Sequence, residues 1–168
     1  MKKSLLLIIP LFWIAQSAFV SSPNPKSGIK WMSYEQVLEA SKKEPKKVFV
    51  DVYTDWCGWC KRMDQTTFQN EKVINILKED FYAVKLDAES DETFVQNGKE
   101  MTYRQLARSY KATGYPTTVY LNEDLSVIQA VPGYQKAESL EMILAYFGGN
   151  HHQTTAWPEF QKQYQSAN

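Results

Sequence analysis

Three observations in this 168-residue chain predict an α/β domain. An apolar run, Val48-Phe49-Val50-Asp51-Val52, reads as a strand buried on both faces. Stretches with apolar residues at helical spacing alternate with short β-type runs on either side of it. Toward the C-terminal end, Thr117-Thr118-Val119-Tyr120-Leu121 and residues 126–131 flank a polar turn at Asn122-Glu123-Asp124, which predicts a hairpin.

Composition narrows the function classes. Lysine plus arginine and aspartate plus glutamate number 19 each, so the formal net charge is zero. Nothing in that balance points to nucleic acid or an anionic surface as partner. The length suits one domain with one core, and no internal repeat is present.

Residues 1–22 read as a secretory signal peptide. Lys2-Lys3 form a basic start, Leu5 to Ile14 an apolar core, and Ala15-Gln16-Ser17-Ala18 a small-residue cleavage region. The apolar stretch is shorter than the roughly 18 residues a spanning helix needs, and Pro10 interrupts it. A retained membrane anchor is the alternative. Residues 23–30 form a Ser/Pro/Gly/Asn linker, residues 31–149 the folded domain, and residues 150–168 a C-terminal extension.

Ser33-Tyr34-Glu35-Gln36 is a capping box that starts a helix carrying Val37, Leu38 and Ala40 near one side and ending at Lys42-Lys43. Trp31 is expected to staple or cover it. Pro45 breaks the chain before the strand at Val48. That strand runs into Tyr53-Thr54-Asp55-Trp56, a short polar turn that delivers Cys57 and Cys60 to a helix start. The chain has no other cysteine.

A Cys-x-x-Cys pair at a helix N-terminus has a physical logic. Cysteine attacks as thiolate, and the unpaired N–H groups and positive dipole end of a helix stabilise that anion. Such placement lowers a thiol pKa into a range of roughly 3.5–7.5. The three-residue offset puts both sulfurs on one side of the first turn, close enough to close a ring. Cys57 is expected to be the outer, nucleophilic sulfur and Cys60 the buried, resolving one. A structural zinc site would need two more ligands; the remaining candidates, His151-His152, sit in a polar tail. A purely structural disulfide stays open, although so short a loop removes little unfolded-chain entropy. Asp51 lies within the apolar run, where desolvation raises a carboxyl pKa; a solvent-facing strand-end Asp is the alternative.

Beyond the cysteines, Thr66-Thr67-Phe68 interrupts the helix and Asn70 caps a second segment, with Val73, Ile74 and Leu77 on its apolar face. Residues 81–86 form the next strand. Asp87, Glu89, Asp91 and Glu92 lack an ordered calcium-loop pattern, so residues 87–101 read as a solvated acidic loop, either a rim over the site or an exposed insertion. Thr102-Tyr103-Arg104-Gln105 caps a helix to about Lys111 that buries Leu106, Ala107 and Tyr110. Pro116 precedes the β-type run at Thr117, an awkward place for a residue without an N–H. Residues 138–147 form a helix with Leu140, Ile143, Leu144 and Phe147 inward and Gly148-Gly149 as its stop. In the extension, Trp157, Phe160 and Tyr164 recur at helical spacing, as a helix packed on the domain or a docking surface; His151-His152 are placed in solvent.

Trp56-Cys57-Gly58-Trp59-Cys60-Lys61 after Val50-Asp51-Val52, followed much later by Gly114-Tyr115-Pro116-Thr117-Thr118, resembles the thioredoxin family over about residues 31–148. The chain is similar to exported thioredoxin-like proteins and to the C-terminal domain of the bacterial transmembrane thiol-disulfide interchange protein. The resemblance implies a thioredoxin-like α/β fold, a central mixed β-sheet with helices on both faces. It implies a thiol-disulfide oxidoreductase of protein-disulfide reductase type, with Cys57, Cys60 and Asp51 catalytic and no cofactor beyond the redox-active disulfide. Asp51 would exchange a proton with the buried cysteine, and Lys85 would stand near it, a solvated strand lysine being equally open. Trp56 and Gly58 support the motif. A cis Pro116 would bring the Tyr115 backbone beside Cys57 to pair with an extended substrate, and Gly133 would let that substrate approach.

Two departures bear on substrate and direction. Tyr115 stands where Ile, Val or Thr is common. Trp59 stands where many members have proline, and isomerases or oxidases often have histidine. An imidazolium would stabilise the Cys57 thiolate; uncharged Trp59 points to a reductant, nearer about −270 mV than about −120 mV. The implied partners are protein or peptide disulfides and a membrane or thioredoxin-type electron donor, with no nucleic acid or metal, the protein acting as a monomer in the periplasm or outside the cell. A disulfide oxidase or isomerase, or a non-catalytic binding module on the same fold, are the rival readings.

Overall fold

The structure, a computed structural model, describes residues 28–167. The expected signal peptide at residues 1–22 and residues 23–27 of the expected linker lie outside the described residues. Five strands form the main sheet: β1 (Trp31–Met32), β2 (Lys47–Tyr53), β3 (Phe81–Asp87), β6 (Thr117–Leu121) and β7 (Val127–Pro132), in the order β1-β3-β2-β6-β7. β1, β3 and β2 run parallel; β6 and β7 are antiparallel additions. The sheet is therefore mixed, with the hairpin at one edge.

The period of two along β2 assigns its faces. Val48, Val50 and Val52 pack with Tyr34 and Val37 of α1 (Tyr34–Lys43) and Leu106 and Ala107 of α4 (Tyr103–Ser109). Phe49 points the other way, into Met63 of α2 (Gly58–Gln65), Val73 and Leu77 of α3 (Glu71–Asp80), and Leu140 and Leu144 of α5 (Ala137–Gly148). Helices thus cover both faces. Local chemistry sets their ends. Ser33 and Thr102 make reciprocal capping boxes with Gln36 and Gln105. Asn70 accepts from the backbone N–H groups of Lys72 and Val73. The tightened turn at Thr67–Gln69 separates α2 from α3.

Several expectations need correction. Trp31 is not a staple for α1. It sits in β1 on the opposite face, with ring centroids 5.0 Å from Phe68 and 6.4 Å from Phe49. The expected acidic loop is largely a hairpin, β4 (Thr93–Gln96) paired with β5 (Lys99–Thr102). Asn97 and Gly98 both take positive φ at its turn, as a two-residue hairpin requires. Phe94 is buried against Tyr34 and Tyr103, which anchors the hairpin on the core. Its tip meets α1 and the β6–β7 turn, at the end of the sheet away from the cysteines, so it forms no rim over the site. Helix α4 stops at Ser109, with Lys111 in the left-handed region.

The extension folds back as a short turn at His151–Gln153 and helix α6 (Trp157–Ala167). Phe160 is buried, with Trp157 and Phe160 both within 5.1 Å of the Tyr146 ring on α5. His152 is not in open solvent. Its ring centroid lies 5.5 Å from that of Phe147 in a tilted contact, its Nδ1 is buried without a partner, and burial lowers its pKa.

Candidate active site

Strand β2 ends at Tyr53, and a tight turn carries the chain to Cys57, whose N–H donates to the Thr54 carbonyl at 3.1 Å. Cys57 is the N-cap of α2: its backbone is extended and its Sγ accepts from the Cys60 N–H at 3.1 Å. A sulfur in this position faces the positive end of the helix, so negative charge on it is stabilised. Cys57 and Cys60 are joined as a disulfide with an S–S distance of 2.07 Å.

The expected outer position of Cys57 needs correction. Cys57 is 4% exposed and Cys60 2%. What separates them is the cap geometry, which gives Cys57 the helix N–H, rather than access to water. The exposed surface beside the pair is aromatic. Trp56 and Trp59 are exposed, and each contacts a tyrosine: Trp56 with Tyr115 at 5.9 Å and Trp59 with Tyr134 at 5.4 Å. The Arg62 guanidinium lies 5.8 Å from the Trp59 ring, and the Tyr134 hydroxyl lies 3.2 Å from Thr66 Oγ1. Gly58 opens α2, and a Cβ there would meet nothing within 4 Å.

Asp51 lies on the same face of β2 as Phe49, toward α2, with a side chain 1% exposed. It is no solvent-facing strand end. Lys85, its register partner on β3, donates from Nζ to Asp51 Oδ2 at 2.6 Å. Asp51 Oδ1 is buried without a partner. Burial pushes the Asp51 carboxyl above its ordinary range, and the Lys85 ammonium opposes that push. Burial pulls the Lys85 ammonium down, but the two carboxylates it touches outweigh this and raise it. The second of those carboxylates is Asp64 on α2, in a short contact. Sequence reading missed Asp64; its signal was the position four residues after Cys60 on the same helix.

The Tyr115–Pro116 peptide is cis. Pro116 is buried and Tyr115 half-buried. The Gly133 N–H donates to the Pro116 carbonyl at 2.8 Å, which places Gly133 beside the proline turn. Gly133 has φ +90°, a conformation that favours glycine, while the space around its Cα is open. The structure thus gathers Asp51, Lys85 and the α2 cysteines on one side of the sheet, and ties Gly133 to Pro116. Among the described residues no group of three or more His, Cys, Asp or Glu is placed to hold a metal ion.

A mixed sheet flanked by helices, with a Cys-x-x-Cys disulfide capping a helix and a buried Asp51 paired to Lys85, defines the class: a thiol-disulfide centre on a thioredoxin-like fold. Comparison with known families agrees, since a family model described as "Thioredoxin-like domain" matches residues 34–148, and the chain belongs to that family. It is 32% identical over 106 residues to human "Spermatogenesis-associated protein 20", covering 61% of this chain but 12% of that protein. It is 24% identical over 103 residues to "Disulfide bond reductase DsbH" of Chlamydia pneumoniae, covering 61% of each. The chain therefore spans about an eighth of the first relative's length and under two thirds of the second's. Among solved structures, a thioredoxin-fold protein from Helicobacter pylori superposes with a TM-score of 0.59 at 20% identity, covering 73% of this chain and 81% of that one. That likeness concerns the fold.

Proposed function

We propose that this protein is an exported thiol-disulfide oxidoreductase that reduces disulfides in protein or peptide substrates through Cys57 and Cys60. The observation that carries the reading is the Cys57 sulfur held at the α2 N-cap, on a helix tied through Asp64 and Lys85 to the buried Asp51. An inert staple needs neither the cap nor a buried acid.

In the reduced protein the Cys57 thiolate attacks one sulfur of a substrate disulfide. A Cys57–substrate bond forms, the substrate S–S bond breaks, and the leaving sulfur takes up a proton. Cys60 then gives its proton to Asp51, directly or through one water, and attacks the Cys57 sulfur. The Cys57–Cys60 disulfide forms, the Cys57–substrate bond breaks, and the second substrate sulfur leaves as a thiol, taking up the proton that Asp51 had accepted. Two electrons pass to the substrate, and the protein is left in the disulfide form seen here. A dithiol donor, membrane-borne or thioredoxin-like, reverses the sequence to recharge it. Tyr115, Pro116 and Gly133 supply the backbone edge for an extended substrate, and Trp56 and Trp59 its apolar flanks.

Export rests on the signal-like pattern of residues 1–22, and the reductive direction on uncharged Trp59 and the reductase named among the relatives. No helix among the described residues is long and apolar enough to cross a membrane. The test is a trap. Cys60→Ser, reduced and mixed with a disulfide-bonded peptide, accumulates a mixed disulfide at Cys57, seen by mass spectrometry after acid quench. No adduct, or an adduct at Cys60 in Cys57→Ser, would overturn the assignment.

A further inference from the structure

Lys85 is one cation held between two carboxylates. Its Nζ donates to Asp51 Oδ2 at 2.6 Å and to Asp64 Oδ1 in a shorter contact. The acceptors differ in kind: Asp51 is buried within β2, while the Asp64 side chain is 46% exposed on α2. Asp64 sits one helical turn beyond Cys60, so the ammonium joins the strand that holds the acid to the helix that holds the sulfurs. The rings of Trp31, Phe68 and Tyr53 lie 4.9, 5.1 and 5.2 Å from the ammonium and confine it there.

An ammonium has three N–H donors and one charge. With both carboxylates ionised, the trio carries one surplus negative charge, and one of its carboxylates, Asp51, is buried. The surplus vanishes when Asp51 takes a proton, and Asp51 Oδ1 is buried without a partner. Were Lys85 to serve Asp51 alone, its charge would balance the carboxylate and hold it ionised.

We propose that Asp64 is a positioning residue for the proton step at Asp51, acting through Lys85: it draws off part of the ammonium and so keeps the buried carboxylate able to accept a proton. This inference rests on the reading that Asp51 exchanges a proton with Cys60. The other groups that face Asp51 are the phenols of Tyr53 on β2 and Tyr120 on β6. Burial holds both above their ordinary range, so neither titrates alongside it.

The test is a carboxyl-carbon NMR titration of Asp51 in the oxidised full chain, paired with the pH profile of mixed-disulfide resolution in single turnover. In Asp64→Asn the Asp51 midpoint and the ascending limb of the profile both move to lower pH. In Lys85→Met both move to higher pH. In the Lys85→Met background, Asp64→Asn has a much smaller effect, because nothing then holds a half-exposed carboxylate toward Asp51 and solvent screens it. Asp64→Glu keeps the wild-type midpoint. An unmoved Asp51 midpoint in Asp64→Asn overturns the proposal. So does an equal shift with Lys85 absent, which would mean that Asp64 does not act through it. A moved midpoint without a moved pH profile overturns the reading of Asp51 as proton acceptor, and Asp64 then has no place in the reaction.

Discussion

Replacing Lys85 with methionine keeps most of the apolar stem and removes the ammonium. Asp51, 1% exposed, is then left without a cation. Breaking a buried pair by deleting one partner costs about 3–5 kcal/mol. Here the loss has a ceiling, because Asp51 can escape by taking a proton. For a carboxyl of ordinary pKa near 3.9, that costs about 1.4 kcal/mol per pH unit, on the order of 4 kcal/mol at pH 7 and about 1.5 kcal/mol at pH 5. The sign follows from linkage. Burial raises the native Asp51 pKa above its unfolded value, and Lys85 restrains it. In that window the native state binds more protons than the unfolded chain, so stability falls as pH climbs from the ordinary carboxylate range through the raised value. Without Lys85 the window extends upward. Lys85→Met is therefore expected to lose about 3 kcal/mol at pH 7 and about 1 kcal/mol at pH 5, measured by urea denaturation of both proteins at both pH values. The lost contacts with Trp31, Phe68 and Tyr53 add a part that does not depend on pH. An equal loss at both pH values would refute the electrostatic reasoning and leave packing as the role of Lys85.

Three further outcomes are expected. Trp59→His places an imidazolium beside the cysteines and makes the couple more oxidising, by roughly 30 mV for each 1.4 kcal/mol gained by the reduced form; an unchanged potential contradicts the role given to Trp59. Gly133→Ala meets no atom within 4 Å but must keep φ near +90°, so it costs about 1–2 kcal/mol of stability through backbone strain, read by urea denaturation. Phe160→Ala removes the buried anchor of α6 and costs about 3 kcal/mol, the low end for a buried phenylalanine because this helix packs on the outside of α5; a loss under about 1 kcal/mol would separate the extension from the cooperative core.

Most of the main sheet and its helices were legible because their signals are local. Apolar spacing marked Val37, Val73, Leu77, Leu140 and Leu144, and the caps at Ser33, Asn70 and Thr102 marked the starts of their helices. The errors came where tertiary pairing overrode composition. Trp31–Met32 is a two-residue strand, too short for any periodicity, and exists because it pairs with Ala83 and Val84. Asn97-Gly98, the hairpin turn signal between Gln96 and Lys99, lies in a stretch whose acidic composition suits a solvated loop equally well. His152 reads as polar tail until α6 folds back and lays it against Phe147. At the site, the cysteine motif was visible in the sequence, whereas the sharing of Lys85 between Asp51 and Asp64 was not. That arrangement joins residues 34 and 21 positions apart on three different elements, and no local pattern encodes it.

Equilibration of the Cys57–Cys60 couple in graded glutathione or dithiothreitol buffers, read by thiol trapping, tests the redox role of this site most directly. A reductase predicts a potential near about −270 mV. A value near about −120 mV would contradict the reductive direction and mark an oxidase. A pair that stays closed under mild reductant would contradict the redox reading itself.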